Sequence, residues 1–205
     1  YGTPKFLPIT ENHPASAQSP YAASKVGADH LAYSFYTSYN LPVSIIRPFN
    51  TFGPRQSLRA VIPTIISQVL DNNKTIKLGN TYSTRNFNFI SDTVNGFIST
   101  IGKKKIFGEV INIGSNYDIS IKDTAGEILK LMKKKVSITE ENFRKRPKKS
   151  EVEVLKASGL KAKKLLNWSP KFKGKTGFLK ALERTIKWYS IVDNRKKFKN
   201  NIYNF

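Results

Sequence analysis

Apolar and polar positions along this chain alternate between a helical rhythm and short β-branched runs. Ser19 is a good N-cap and Pro20 suits a first helical position, so a helix is predicted from there to about Tyr39, with Asn40 as its stop. Pro42 to Pro48 (PVSIIRP) is a β-branched run bounded by prolines, the pattern of a buried parallel strand, and a turn-rich segment from Phe49 to Ser57 follows it. A helix over Ala60 to Leu70, short strands near Thr75 to Leu78 and Phe87 to Ile90, and a helix opening at Ser91-Asp92 come next. Glu109 to Ile113 reads as another buried strand. Ser120 then caps a helix running through Met132, with Ile121, Ala125, Ile128, Leu129 and Met132 on one stripe. Arg144 to Lys149 is a charged link, Leu160 to Leu166 a short helix, and Phe178 to Ile191 an amphipathic closing helix. Residues 1 to 18, with Pro4, Pro8 and Pro14, read as an extended loop, and the last dozen residues as a fraying tail. Strands alternating with helices make this an α/β chain, without internal repeats.

Composition narrows the picture. The 205 residues are enough to bury a core, and with no cysteine the chain has neither disulfides nor thiol chemistry. No apolar run approaches the roughly 18 residues that span a bilayer, and no signal-peptide pattern opens the sequence, so no membrane partner and a cytoplasmic location are expected. The chain opens on Tyr1 and its only methionine is Met132, so a piece of a longer protein is expected. The 35 basic and 14 acidic residues give a net charge of +21. That excess raises a nucleic-acid-binding reading, helped by Tyr33, Phe35, Tyr36 and Tyr39. Those aromatics sit at helical core spacing, however, and no helix-turn-helix, zinc or RNA-binding signature is present, so no specific nucleic-acid partner is expected. A solvated lysine-rich surface accounts for most of the charge, and two or three cations suffice to hold a diphosphate.

Candidate chemistry begins with Ser19 to Asp29 (SPYAASKVGAD), which places Tyr21 and Lys25 four residues apart on one helical face. A tyrosine hydroxyl is a poor base at neutral pH, and a neighbouring ammonium favours its phenolate. Such a pair alone is often surface decoration. Here it follows Ser-Pro, precedes small Gly27 and Ala28, and stands one helix ahead of the strand that ends in Ile46 to Gln56 (IRPFNTFGPRQ). No Gly-x-Ser-x-Gly elbow and no metal-ligand cluster competes with it.

Four segments, SPYAASKVGADH from Ser19, RPFNTFGPRQS from Arg47, RAVIPTII from Arg59, and NFRKRP from Asn142 with SEV from Ser150, together resemble the extended short-chain dehydrogenase/reductase superfamily, NAD-dependent epimerase/dehydratase branch. Within it, the chain looks most like the nucleotide-sugar 4,6-dehydratases of legionaminic acid synthesis, which act on a nucleoside-diphosphate N-acetylglucosamine. The resemblance implies the C-terminal part of a Rossmann-like fold whose Gly-rich N-terminal half is missing, with a small mixed α/β substrate-binding domain. Residues 1–56, with 91–113 returning to them, fall to the NAD-binding part, 57–90 and 114–192 to the substrate region, and 193–205 to a basic tail. By the same resemblance Tyr21 is the base, Lys25 holds the nicotinamide ribose, Pro48 and Phe49 lie beside the carboxamide, and Asn50, Arg59, Arg85, Asn112 and Arg146 grip the nucleotide sugar. It also implies a homodimer through the helix bearing Tyr21. No Gly-x-x-Gly-x-x-Gly loop is present, and the acid/base carboxyls of water elimination fall before Tyr1, so the piece alone is expected to be inactive, poor at binding NAD, and burdened with exposed apolar surface. A 4-epimerase or a UDP-glucuronate decarboxylase shares Tyr21 and Lys25 and stands as the alternative.

Overall fold

The structure, a computed structural model, describes residues 1–195. Seven helices and eight strands follow in the order α1 (Pro20–Tyr39), β1 (Ile45–Pro48), β2 (Asn50–Phe52), α2 (Val61–Leu70), β3 (Thr75–Leu78), β4 (Thr84–Phe89), α3 (Ile90–Ile98), β5 (Val110–Ile113), β6 (Asp118–Ser120), α4 (Ile121–Leu131), β7 (Ser137–Glu140), β8 (Val154–Leu155), α5 (Leu160–Leu166), α6 (Gly174–Ser190) and α7 (Val192–Arg195). The tail expected to fray lies, from residue 196 on, outside the described residues.

Both ends of α1 are set by the residues that forecast them. Ser19 Oγ accepts from Ala22 N at 3.1 Å, and Asn40 turns left-handed at φ 53° with its N–H on Phe35 O. The Ser120 cap of α4 likewise accepts from Asp123 N at 2.9 Å. Three small sheets share the strands: β1 pairs β5 in parallel, β3 pairs β7 in parallel, and β4 pairs β2 in parallel, β6 antiparallel and β8 in parallel. The main core lies where α2, α4 and α6 pack with residues of β2, β3, β4 and β6, with Ile62, Ile65, Ile66, Ile128, Leu182 and Tyr189 almost wholly removed from water. A second cluster backs β5, with Ile111 and Ile113 against Ala162, Leu166 and Trp168.

Three expectations change. The turn-rich stretch after Pro48 contains β2, because the chain continues past Phe49 directly from one sheet into the next, with Phe49 N on Ile113 O at 2.9 Å. Residues 1 to 18 are more than a loop: Ile9 is fully buried and bridges Ala157, its N–H on Lys156 O at 2.7 Å and its carbonyl accepting from Ser158 N at 2.9 Å. Most aromatics of α1 face water rather than a core; the helix has no buried residue and exposes Tyr21, Leu31, Tyr33, Phe35 and Tyr39, while half-buried Tyr36 lies against Gly108. Its firm tie to the sheet is Arg47 Nε on Asp29 Oδ2 at 2.7 Å.

The start of α6 passes so close to Phe172 that any side-chain carbon at Gly177 would collide with the Phe172 backbone. Gly177→Ala is therefore expected to destabilise the chain by about 1–3 kcal/mol despite the better helix propensity of alanine. Urea unfolding checks this, and an unchanged midpoint would contradict that packing.

Candidate functional site

Stretches of chain distant in sequence line one cavity of about 580 Å³. Tyr21 enters from the first turn of α1, Asn50 and Thr51 from β2, Gln56 and Arg59 from the turn that follows, Lys77 to Asn80 from the end of β3, Ser83, Arg85 and Phe87 from β4 and the turn before it, and Arg144, Arg146 and Glu151 from the strap joining β7 to β8. Strand geometry explains the β4 contribution. Alternate residues share a face, so Arg85 and Phe87 point together, and Phe87 stands in register with Asn50 of β2.

The electrostatics are those of an anion site. Five cations line the cavity with a single carboxylate, Glu151. Arg85 Nη2 meets Glu151 Oε1 at 2.9 Å, with both side chains largely buried, while Arg85 Nη1 donates to Thr84 O at 3.0 Å and Glu153 O at 3.3 Å. Burial lowers the Arg85 pKa from its ordinary value and Glu151 opposes that, but a guanidinium keeps its charge at any working pH. Arg144 and Lys77 share Glu141, at 2.6 and 3.0 Å. Among the described residues Arg59 and Arg146 form no ion pair, which leaves two guanidiniums available to an anionic ligand.

Tyr21 stands at the rim, 71 % exposed, with the Lys25 ammonium over its ring at 5.6 Å from the centroid. Asn50, Arg59, Arg85 and Arg146 are thus brought to one cavity with Tyr21. Pro48 and Phe49 are not in its lining: Pro48 is exposed, and Phe49 is buried against Ile9 and Ala157, with Tyr1 stacked on it at 6.2 Å. Asn112 also stands elsewhere. It is fully buried opposite Arg47, accepts from Tyr1 Oη at 2.6 Å and donates to Ile9 O at 3.3 Å, so its amide is committed to holding the N-terminal segment on β5. Sequence reasoning missed Glu151, Gln56, Lys77 and Arg144. Glu151 carried a signal, as the first acid after the basic run Arg144 to Lys149. Gln56 carried none, since its role is set by contacts: its side-chain amide donates to Thr51 O at 2.7 Å and its backbone carbonyl accepts from Tyr189 Oη.

Comparison with known proteins places this geometry. The sequence pattern described as GDP-mannose 4,6 dehydratase matches residues 1–180. The human dTDP-D-glucose 4,6-dehydratase is 33% identical over 205 residues, covering 98% of this chain and 56% of the human protein. The Bacillus anthracis dTDP-glucose 4,6-dehydratase, solved in complex with NAD, superposes with a TM-score of 0.84 at 27% identity over 97% of this chain and 60% of its own. The Bacillus cereus UDP-glucuronic acid 4-epimerase, solved with UDP-glucuronic acid and NAD, gives 0.83 at 29% over 92% and 57%. The chain has the α/β, Rossmann-like fold of these structures and spans a little over half the length of the proteins it matches. Among the described residues no helix is long and apolar enough to cross a membrane.

Next to the cavity, the end of β7 carries a carboxylate with a depressed pKa. Glu140 Oε1 accepts from Thr81 N at 2.9 Å and Thr81 Oγ1 at 2.6 Å, and its Oε2 meets Lys145 Nζ at 2.7 Å. The Lys145 contact first, then the Thr81 bonds, hold its pKa at about 2 against an ordinary 4.5. A carboxyl with a depressed folded-state pKa adds stability above its unfolded value and loses it as pH falls through the folded one. Glu140→Gln is expected to be less stable than wild type near neutral pH and to converge with it as pH falls from 4.5 towards about 2. Urea unfolding across that window checks the sign.

Proposed function

The chain belongs to the GDP-mannose 4,6-dehydratase family, and from that premise we propose that it carries the base and the nucleotide-sugar grip of an NAD-dependent nucleotide-sugar 4,6-dehydratase. The observation that supports this most is the gathering of Tyr21, Asn50 and the guanidiniums of Arg59, Arg85 and Arg146 around one cavity. Guanidinium forks bind phosphate oxygens bidentately, and two unpaired forks match the two charges of a diphosphate. Tyr21, at the rim with the Lys25 ammonium over its ring, takes the proton of the sugar 4-hydroxyl. NAD, which Tyr21, Lys25 and Pro48 would help to hold, would supply the hydride acceptor for oxidation at carbon 4 and the hydride for carbon 6 after loss of water across carbons 5 and 6.

The residues present fit one end of that cofactor. Tyr21 and Lys25 in the first turns of α1 and Pro48 at the end of β1 are all exposed, as an approach by the nicotinamide and its ribose requires. No Gly-x-x-Gly-x-x-Gly loop in this sequence offers backbone amides to the pyrophosphate. The finer reading is a nucleoside-diphosphate N-acetylglucosamine substrate of the kind used in legionaminic acid synthesis, supported by the RKRP and SEV segments that carry Arg146 and Glu151 into the cavity wall. The exposed aromatic face of α1 supports a homodimer, and the absence of a long apolar helix among the described residues is compatible with a cytoplasmic enzyme.

The likeness to a UDP-glucuronic acid 4-epimerase favours a second reading, in which hydride returns to carbon 4 and no water is lost. The product decides. Incubation of the enzyme carrying this chain with NAD and UDP-N-acetylglucosamine is expected to give a 4-keto-6-deoxy sugar, and an epimer without loss of water would favour the second reading. Tyr21→Phe is expected to lower turnover at least about a hundredfold with a small change in KM. An unchanged rate would remove the phenol from the reaction.

A further inference from the structure

We infer that Glu151 is a positioning residue of the cavity, holding Arg85 and the strap that bears Arg146 in the arrangement in which both guanidiniums meet one diphosphate. This rests on the diphosphate reading above. The pair joins the strap to the core at 2.9 Å with side chains only 14% and 12% exposed, and Glu151 Oε1 also accepts from Ser83 Oγ at 3.3 Å. An ion pair at that depth seldom repays its desolvation in stability, and an apolar pair would hold the strap as well. What an apolar pair cannot do is orient a fork. Three directed contacts, to Thr84 O, Glu153 O and Glu151, fix the guanidinium plane, and a guanidinium with five N–H groups has donors left for the cavity that Arg85 lines.

The strap is anchored at both ends. Arg144 binds Glu141 at its start, where the bare backbone of Gly79 admits the Arg144 carbonyl, and Thr84 N holds Glu153 O at 2.7 Å at its end. Arg146 lies between these anchors, exposed. Burial lowers the Arg85 pKa and the Arg146 charge adds to that, while Glu151 opposes both. Glu151 thus offsets the repulsion between two cations that face the same space before a ligand arrives.

Charge alone and positioning predict opposite signs for one substitution. Removing a carboxylate from an anion site strengthens anion binding by simple Coulomb attraction; removing a positioning residue weakens it. Calorimetric titration of UDP and GDP into the intact chain is expected to show Glu151→Ala binding about tenfold more weakly than wild type. Glu151→Gln, which keeps an acceptor oxygen for Arg85, loses less. The salt dependence of binding becomes shallower in the alanine variant, because fewer guanidiniums reach the phosphates. Equal or tighter binding by Glu151→Ala overturns the inference, and if that variant does not fold, equal or tighter binding by Glu151→Gln does so. A wild-type chain that binds neither nucleotide overturns the diphosphate reading and this inference with it.

Discussion

The pairing of β4 on both its edges is the constraint from which the cavity follows. Its first half lies between β6 and β8 and its second half against β2, so the strand cannot shift without breaking three ladders at once. The face opposite the cavity locks the register further. Asn86 is fully buried, accepting from Ser115 N at 2.9 Å and donating to Asp118 Oδ1 at 2.9 Å. Asn88 donates to Thr93 Oγ1 at 2.7 Å, and Thr93 meets Thr51 Oγ1 at 3.0 Å, which ties β4 to α3 and β2. Buried amides are costly unless paired, so a register slip would strand them, and it would also turn Arg85 away from the cavity. On the cavity's own face, Phe87 packs with Phe52 and Phe178 as the apolar floor next to Arg85.

The proposed base, Tyr21, is held far less firmly than Arg85 of the proposed phosphate grip. Arg85 is fixed on the best-packed strand, whereas Tyr21 stands on a helix with no buried residue, tied by its caps and the Arg47 to Asp29 contact. Gln18 supplies a further link. It precedes the cap, accepts from Thr3 N and Thr3 Oγ1, and donates to Lys149 O at 3.1 Å on the strap. The N-terminal segment, itself pinned by Ile9 on Ala157 and by Tyr1 on Asn112, therefore connects the start of α1 to the element that carries Arg146 and Glu151. Elements with few buried contacts open most readily, so the angle between base and phosphate grip depends on this polar seam rather than on the core.

What could be read in the sequence was what local chemistry decides. Ser19, Pro20 and Asn40 set the limits of α1, Ser120 set the start of α4, and the proline-bounded run led to β1. The short strands β6, β7 and β8 escaped because two to four residues carry little periodicity, and their pairing depends on β3 and β4, far away in the chain. The aromatics of α1 misled for a related reason: spacing tells which residues share a face, not what covers it. Arg59 and Arg146 stand in the quoted segments RAVIPTII and NFRKRP, and the structure brings both to one cavity with Arg85, whereas the place of Asn112 was decided by Tyr1 and Ile9, contacts that no local pattern announces.

The surplus of positive charge acts at two ranges. Exposed lysines across the chain attract any anion, but their field is screened within about 8 Å at physiological salt and cannot tell a diphosphate from another polyanion. Selection needs donors fixed in direction as well as sign. In the cavity the lysine, Lys77, is held with Arg144 by Glu141, and the contacts left for a ligand come from arginines, whose planar forks lose little freedom on binding. The acids of this basic chain matter there more than their number suggests, because Glu141 and Glu151 decide which cations are spent on the fold and in what orientation the others meet a phosphate.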